Sequence, residues 1–433
     1  MQEKNNKRTI RAWAMFDWAN SAYNLVITST IFPAYYTIIT TTKEHGDKVD
    51  FFGFTFVNTA LANYSLSVAY LIMAVLLPVL SGIADARGNK KAFMKFFTWL
   101  GSLACIGLYF FKIDTLELGV ICSAIAAIGY IGGVMFSNSY LPEIATVDHQ
   151  DKVSAQGFSY GYIGSVLLQI ICFVFVLKPE LFGITDASFP ARLSFLLVGV
   201  WWIGFAQIPF NRLPKGTPAL KKPSSSVIKS GYQELGKVWK QLKEYNVLHR
   251  FLYAFFFYSV GVQTIMLVAT AFGAKVLKME TSELIATILI IQLVAIAGAN
   301  LMSLMAAKIG NIRVLMMVVS IWIGVCIVAF FIQTKFQFFA LAGLVGLIMG
   351  GIQSLSRSTY SKLLPVNTHD TASFFSFYDV TEKLAIVIGL ATFAFIEENS
   401  NIRNSALSLT VFFIAGLIML FVVLGTRPAK QGK

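Results

Sequence analysis

Long apolar runs, each closed by a short polar connection, recur from one end of the chain to the other. A bilayer core of about 30 Å needs about 20 helical residues per crossing. On that ruler the pattern predicts twelve crossings, at approximately 11–40, 60–82, 92–111, 118–141, 154–177, 191–211, 248–274, 282–305, 313–333, 336–356, 373–397 and 404–426. The runs are continuous and roughly twice as long as a barrel strand, which favours helices. The first run exceeds one span, so part of it is expected to tilt or project.

The longest break falls at 212–247 and divides the chain into an N-terminal six-helix bundle (1–211) and a C-terminal one (248–433). It opens with "NRLPKGTPALKKPSSS", which reads as a flexible basic linker. Ile228, Tyr232, Leu235, Trp239 and Leu242 then recur at spacings of four and three, with Lys229, Lys237, Lys240 and Lys243 on other faces. That pattern predicts an amphipathic helix on the inner leaflet.

Composition agrees. Of 433 residues, 56% are hydrophobic and 13% charged, where a soluble domain carries about 25% charged residues. A net charge of +13 would suggest nucleic acid in a soluble protein, but its placement argues otherwise. With the N-terminus inside, about 25 of the 35 basic residues fall on the cytoplasmic side. These include Lys4, Lys7, Arg8, Arg11, Arg87, Lys90, Lys91, Lys95, Arg427, Lys430 and Lys433, whereas Lys48, Lys112 and Lys178 fall opposite. Both termini are therefore expected in the cytoplasm, and the basic excess reads as topology.

No short apolar stretch ends in a cleavage site, so the first helix is expected to stay as an anchor. Cys105, Cys122, Cys172 and Cys326 lie inside apolar runs without metal-ligand spacing and read as packing residues. No nucleotide-binding Gly-rich loop, metal cluster or nucleophile motif is present, so neither cofactor nor enzyme chemistry is expected.

Polar groups inside the crossings need another explanation. Asp17, Asn20, Ser21, Asn24 and Thr28 stand at offsets of zero, three, four, seven and eleven, one stripe on an α-helix. Facing lipid, such a stripe would cost several kcal/mol per unsatisfied group, so it should line a cavity or a helix contact. Asp17 is equally well read as the partner of a basic group at the inner mouth.

In crossing eleven, Asp379, Glu382 and Lys383 sit within one turn, and Lys383 lies about 15 Å deep. A static Asp379–Lys383 pair is one reading. A second is a coupling site, in which protonating Asp379 or Glu382 frees Lys383 to hold a substrate carboxylate, and a third is a gate at the cytoplasmic end. Asn138, Tyr160, Gln263 and Gln353 are further candidates for the pathway, each equally readable as an interhelical hydrogen bond. Arg357, ending crossing ten, reads as an interfacial anchor or, paired with Asp17 or Glu143, as part of the cytoplasmic gate.

The chain also repeats itself. Gly88-Asn89-Lys90-Lys91 overlies Gly310-Asn311-Ile312-Arg313 at an offset of 222, and Gly132-Gly133 overlies Gly350-Gly351 at an offset of 218. Each pair occupies the same ordinal crossing of its half. Two related bundles suggest a transporter with its substrate site between them near mid-membrane.

The stretch "GIADARGNKK" resembles the signature loop of the major facilitator superfamily. "FDWANSAY", "NSYLPEIA", "GFSYGYIGSVLL", "GGIQSLSRSTYSKLLP" and "FFSFYDVTEK" resemble one branch of it, the autophagy-linked vacuolar amino-acid effluxers of fungi and their bacterial relatives. The resemblance covers most of the chain. It implies an all-α polytopic protein of two pseudo-symmetric six-helix bundles, working by alternating access on a small polar or amphipathic solute.

An amino acid and proton coupling are its further implications, with a monomer in a bacterial inner membrane. The alternative is a translocator of lipid or another large amphipathic solute. By the same resemblance Asp85 contacts the start of a helix in the other half and, with Arg87, Lys90 and Lys91, gates the cytoplasmic side. Ser81, Ala86 and Glu382 depart from the family's pattern.

Overall fold

A computed structural model describes residues 3–41, 46–184, 186–215, 227–365 and 368–426. Twelve helical crossings account for nearly all of them. In the N-terminal half they are Lys7–Thr40, Asn58–Arg87, Lys90–Gly107, Leu116–Asn138, Gln150–Leu177 and Phe189–Arg212. In the C-terminal half they are Asn246–Leu277, Thr281–Ile309, Asn311–Phe331, Lys335–Leu363, Thr371–Asn399 and Ile402–Gly425.

Most helices run several residues past the limits predicted from hydropathy, because an apolar ruler stops where the headgroups begin and hydrogen bonding does not. The second crossing continues to Arg87 and closes on Gly88 at φ 64°, a left-handed conformation that suits glycine. An even number of crossings puts both ends of the chain on one side, called here the termini face.

Ten of the crossings are apolar enough over 18 residues to be recognised as membrane spans by length and composition. The other two are the first and the eleventh. The eleventh carries Asp379, Glu382 and Lys383. The first is divided: α-helix Lys7–Ala22, π-helix Tyr23–Thr30, then α-helix Ile31–Thr40.

Pro33 explains the division, since it has no N–H and its ring crowds the carbonyl of Ser29. The wider turn is held by side chains. Ser29 donates to Asn24 O at 2.9 Å, and Thr30 Oγ1 lies 2.7 Å from Leu25 O and 2.8 Å from Gln169 Oε1. The single α-helical stripe expected from Asp17 to Thr28 is thereby corrected. Asp17 and Asn20 stay buried and Ser21 half-buried, while the π turns carry Asn24 to an exposed position.

Glycines set the closest helix contacts. Along the fifth crossing, a Cβ at Gly157, Gly161 or Gly164 would press on Asp17, Ser21 or the Trp18 carbonyl of the first. In the C-terminal half, Gly298, Gly346 and Gly350 bring the eighth and tenth crossings into backbone contact at Leu347, Ile291 and Ala295.

The connection between the halves contains the helix Val227–Glu244, which packs against the second, seventh and eleventh crossings. Among its described side chains Val238 and Leu242 are buried and Leu235 half-buried, while Trp239 remains 45% exposed. Lys237 donates to Asp370 at 2.7 Å, and Trp239 lies 5.4 Å from Phe377. Residues 216–226, the side chains of Ile228, Lys229 and Tyr232, and Arg427, Lys430 and Lys433 lie outside the described residues.

Opposite the termini face, the first two crossings are joined by a hairpin, Lys48–Phe51 paired antiparallel with Phe54–Val57.

Candidate functional site

Arg357 of the tenth crossing is 3% exposed, which corrects its reading as an interfacial anchor. Its Nη1 donates to Asp17 Oδ2 at 3.1 Å and to Asn138 Oδ1 at 3.0 Å. Nε donates to Ser154 Oγ at 3.0 Å and Nη2 to Ser154 O at 2.9 Å. The guanidinium lies 4.7 Å from the Trp13 ring and 4.2 Å from Phe158.

Every one of those partners belongs to the N-terminal half. Gly157 makes the room: a Cβ there would stand 2.5 Å from Asp17 Oδ2 and 2.8 Å from Arg357 Nη2. A buried charge is tolerated when paired and hydrogen-bonded, and Arg357 meets that condition only while the halves are together.

Two further clusters join the halves nearer the termini face. In the first, Asp85 accepts from Ser373 N at 2.7 Å and Ala372 N at 3.2 Å, at the start of the eleventh crossing. Beside it Lys90, 3% exposed, pairs with Glu143 and donates to Thr371 Oγ1 at 3.1 Å, while the Thr371 hydroxyl donates to Glu143 at 2.9 Å. Lys90 also stands 4.1 Å over the Tyr140 ring.

In the second cluster, Asp151 of the fifth crossing pairs with Lys362 of the tenth and accepts from Asn311 Nδ2 at 2.7 Å. Lys91 turns away from both and donates to Leu213 O at 2.7 Å within its own half, and Arg87 is exposed.

Three more bonds between the halves lie deeper. Ser154 donates to Ser354 O at 2.8 Å, Tyr162 to Gln353 Oε1 at 2.6 Å, and Asn300 to Ser159 Oγ at 2.9 Å. Among the described residues, hydrogen bonds and ion pairs between the halves all involve the termini-side parts of the crossings. Tyr160 packs edge-on to Trp18, centroids 6.4 Å apart.

The eleventh crossing carries its charges about 18 Å from its first residue, at 1.5 Å per residue. Lys383 Nζ is 2.9 Å from Glu382 Oε2 and 3.7 Å from Asp379 Oδ1. Gln263 of the seventh crossing donates to Glu382 Oε1 at 2.8 Å. Glu382, and not the expected Asp379, is the nearer partner of the lysine. Asp379 is 4% exposed, and its Oδ2 has no hydrogen-bond partner. Tyr70 and Tyr130 of the other half lie within electrostatic reach of Lys383.

Asp151, Lys362, Asn311 and Thr371 complete this picture and stood outside the predicted set. Lys362 was visible only as one more basic residue of a termini-side connection. Asn311 had a stronger signal, as the counterpart of Asn89 in the repeat.

Twelve crossings in two six-helix halves, drawn together around buried charges on one face, define a transporter of the major facilitator superfamily, not an enzyme. Solved structures share the arrangement. The FucP transporter in its outward conformation superimposes with a TM-score of 0.68 at 14% identity, covering 96% of this chain and 99% of that one. The human organic anion transporter MFSD10 does so with a TM-score of 0.72 at 9% identity, over 96% and 100%.

Within that superfamily the chain belongs to the family described as "Vacuole effluxer Atg22 like", whose profile matches residues 5–433. It is 32% identical to the MFS-type transporter YxiO of Bacillus subtilis (strain 168) over 414 residues, 95% of this chain and 94% of that protein. It is 24% identical to autophagy-related protein 22 of Yarrowia lipolytica, over 91% and 81%.

Proposed function

We propose that this protein is a secondary active transporter that moves a small polar or amphipathic solute, an amino acid among the first candidates, by alternating access. The two halves, 1–211 and 248–433, rock about a site near mid-membrane, and the termini face is cytoplasmic. The chain works as a monomer in a bacterial inner membrane.

The observation that carries the reading is the Asp379–Glu382–Lys383 cluster. Asp379 is buried, Glu382 and Lys383 are half-buried beside it, and one carboxylate oxygen of Asp379 is left without a partner. A proton or a substrate ammonium completes that oxygen, and Lys383 released from Glu382 can take a substrate carboxylate. Charged groups at that depth are costly and mark ion or substrate paths. Support comes from a neighbour of the same fold, described as a fucose:proton symporter, and from the effluxer description of the family.

The test is uptake of a panel of labelled amino acids into proteoliposomes with an imposed pH gradient. Accumulation should collapse when the gradient is dissipated. D379N should abolish gradient-driven accumulation while keeping solute exchange. Accumulation indifferent to the gradient would remove the proton from the scheme, and a panel without a transported member would remove the amino acid.

A further inference from the structure

The hairpin opposite the termini face has a sidedness that its own fold does not require. Cross-strand pairs Val49–Phe56 and Phe51–Phe54 put four apolar residues on one face, and Lys48–Val57 and Asp50–Thr55 fill the other. At the base the apolar face is covered, with Val49 6% exposed. Towards the tip it is not: Phe54 is 70% exposed and Phe52 65%.

The turn itself is unusual. Phe52 and Gly53 both have positive φ, 49° and 82°, as a two-residue turn of the type that favours Asn-Gly demands. A bulky residue in the left-handed region is sterically disfavoured. Phenylalanine therefore stands where asparagine would serve the backbone better, and an outlier of this kind points to a function.

The neighbourhood identifies what covers the tip. On the second crossing Tyr64, Val68, Leu71 and Val75 recur at helical spacing and are 60%, 53%, 67% and 64% exposed, a stripe that faces acyl chains. Ile38, near the outer end of the first crossing, is 74% exposed on the same side of the molecule. Exposed Phe110, Phe182, Phe331 and Phe336 lie at or just beyond the ends of other crossings on the same side of the molecule, as in an aromatic belt at a lipid–water boundary.

The hairpin is also firmly held. Asn58 Nδ2 donates to Thr40 Oγ1 at 2.9 Å and Thr41 Oγ1 at 3.1 Å, Asn58 N donates to Asp47 O at 2.8 Å, and Tyr36 donates to Asn58 O at 2.9 Å.

We propose that this hairpin is a lipid anchor: Phe52 and Phe54 enter the headgroup–acyl boundary of the leaflet opposite the termini face and pin the outer ends of the first two crossings to the bilayer. Interfacial elements bury such aromatic side chains about 5–10 Å into that boundary. Lys48, Asp50 and Thr55 stay on the aqueous side, where Thr55 donates to Asp50 at 2.8 Å.

The experiment uses the full chain in phosphatidylcholine nanodiscs, with a nitroxide placed singly at Phe52→Cys, Phe54→Cys, Lys48→Cys or Thr55→Cys. Labels at positions 52 and 54 should collide with oxygen at least threefold more than with a water-soluble nickel complex, and those at 48 and 55 should show the reverse. Nickel preference at all four positions would overturn the proposal, and so would shielding from both reagents at 52, which would mean a cover lying on the protein.

F52N supplies the second arm, because it suits the turn better than the native residue. Amide exchange across 48–57 should be no faster in that variant, yet a label at 54 should become at least twofold more accessible to nickel. A label at 54 that keeps its full oxygen preference in F52N would also overturn the proposal.

Discussion

At the junction of the second and third crossings, Asp85 accepts two backbone N–H groups from the first turn of the eleventh crossing. At the related junction of the eighth and ninth, the residue that starts the ninth crossing is a donor, Asn311, and the acceptor is Asp151 across the interface. The two junctions that the repeat relates therefore both contact the other half, but with opposite polarity and from different positions, since the counterpart of Asp85 is Ala307.

The difference lies in what each carboxylate would have alone. Asp85 stands at the C-terminal end of its own helix, where the backbone dipole opposes a negative charge. It meets a helix N-terminus only when the halves meet. Asp151 lies in the first turn of its own helix and has a favourable dipole in any arrangement. Closing the termini face thus matters more to Asp85. Pseudo-symmetry of the backbone does not extend to its energetics.

Arg357, deeper than the two clusters, is the largest lever on the contact between the halves. Replacing it by alanine leaves Asp17 buried without its cation, and breaking a buried pair in this way costs about 3–5 kcal/mol. The unfolding midpoint of R357A in detergent should fall by many degrees. R357K should recover part of the loss, since it restores the charge but not the fork that reaches Asn138 and Ser154 together. Equal midpoints for wild type and R357A would mean that the clusters hold the halves without a hub.

Next in size is the contrast between the clusters. Each can be weakened by one neutral substitution, with opening read as the alkylation rate of a cysteine introduced at Ser159, behind both. Hydrogen bonds to a charged group contribute about 1.5–3 kcal/mol. D85N is therefore expected to raise the rate roughly tenfold, the equivalent of about 1.4 kcal/mol. D151N, whose carboxylate already has its own helix start, should raise it less than about threefold. Equal increases would sink the dipole argument. A larger effect of D151N would mean that its pair with Lys362 carries the closure.

Hydropathy and the positions of lysine and arginine contain most of the fold. All twelve crossings are legible as apolar runs, including the two whose polar residues lower their hydropathy. The π turns of the first crossing are less so, although Ser29, Thr30 and Pro33 stand together in "STIFP". Those residues suit many helical distortions, and only the contact with Gln169 on another helix selects this one.

Partners are the least legible level. Arg357 has two candidate acids by sequence, Asp17 and Glu143. The choice is made by space at Gly157, 200 positions away, and by Lys90 occupying Glu143. Asp151 and Lys362 are 211 positions apart, and no periodicity records their meeting.

The smallest effect lies on the opposite face, where Asp186 and Arg192 pair within the N-terminal half at 2.7 Å. The contrast with the buried clusters is solvent. Asp186 is half exposed, so its pairing is screened and should contribute little. The Ser188 hydroxyl and backbone N–H, then the Arg192 guanidinium, hold its carboxyl below the ordinary value. A carboxylate whose folded pKa is depressed stabilises the fold above its unfolded pKa, near 3.9 for aspartate. That contribution is lost as the pH falls through and below that value. D186N should therefore lower the melting temperature slightly at pH 6 and by less at pH 3, where part of that contribution is gone. A drop as large at pH 6 as that of D85N would show that exposed and buried carboxylates hold this protein together equally, and would remove burial as the reason the termini-face clusters matter.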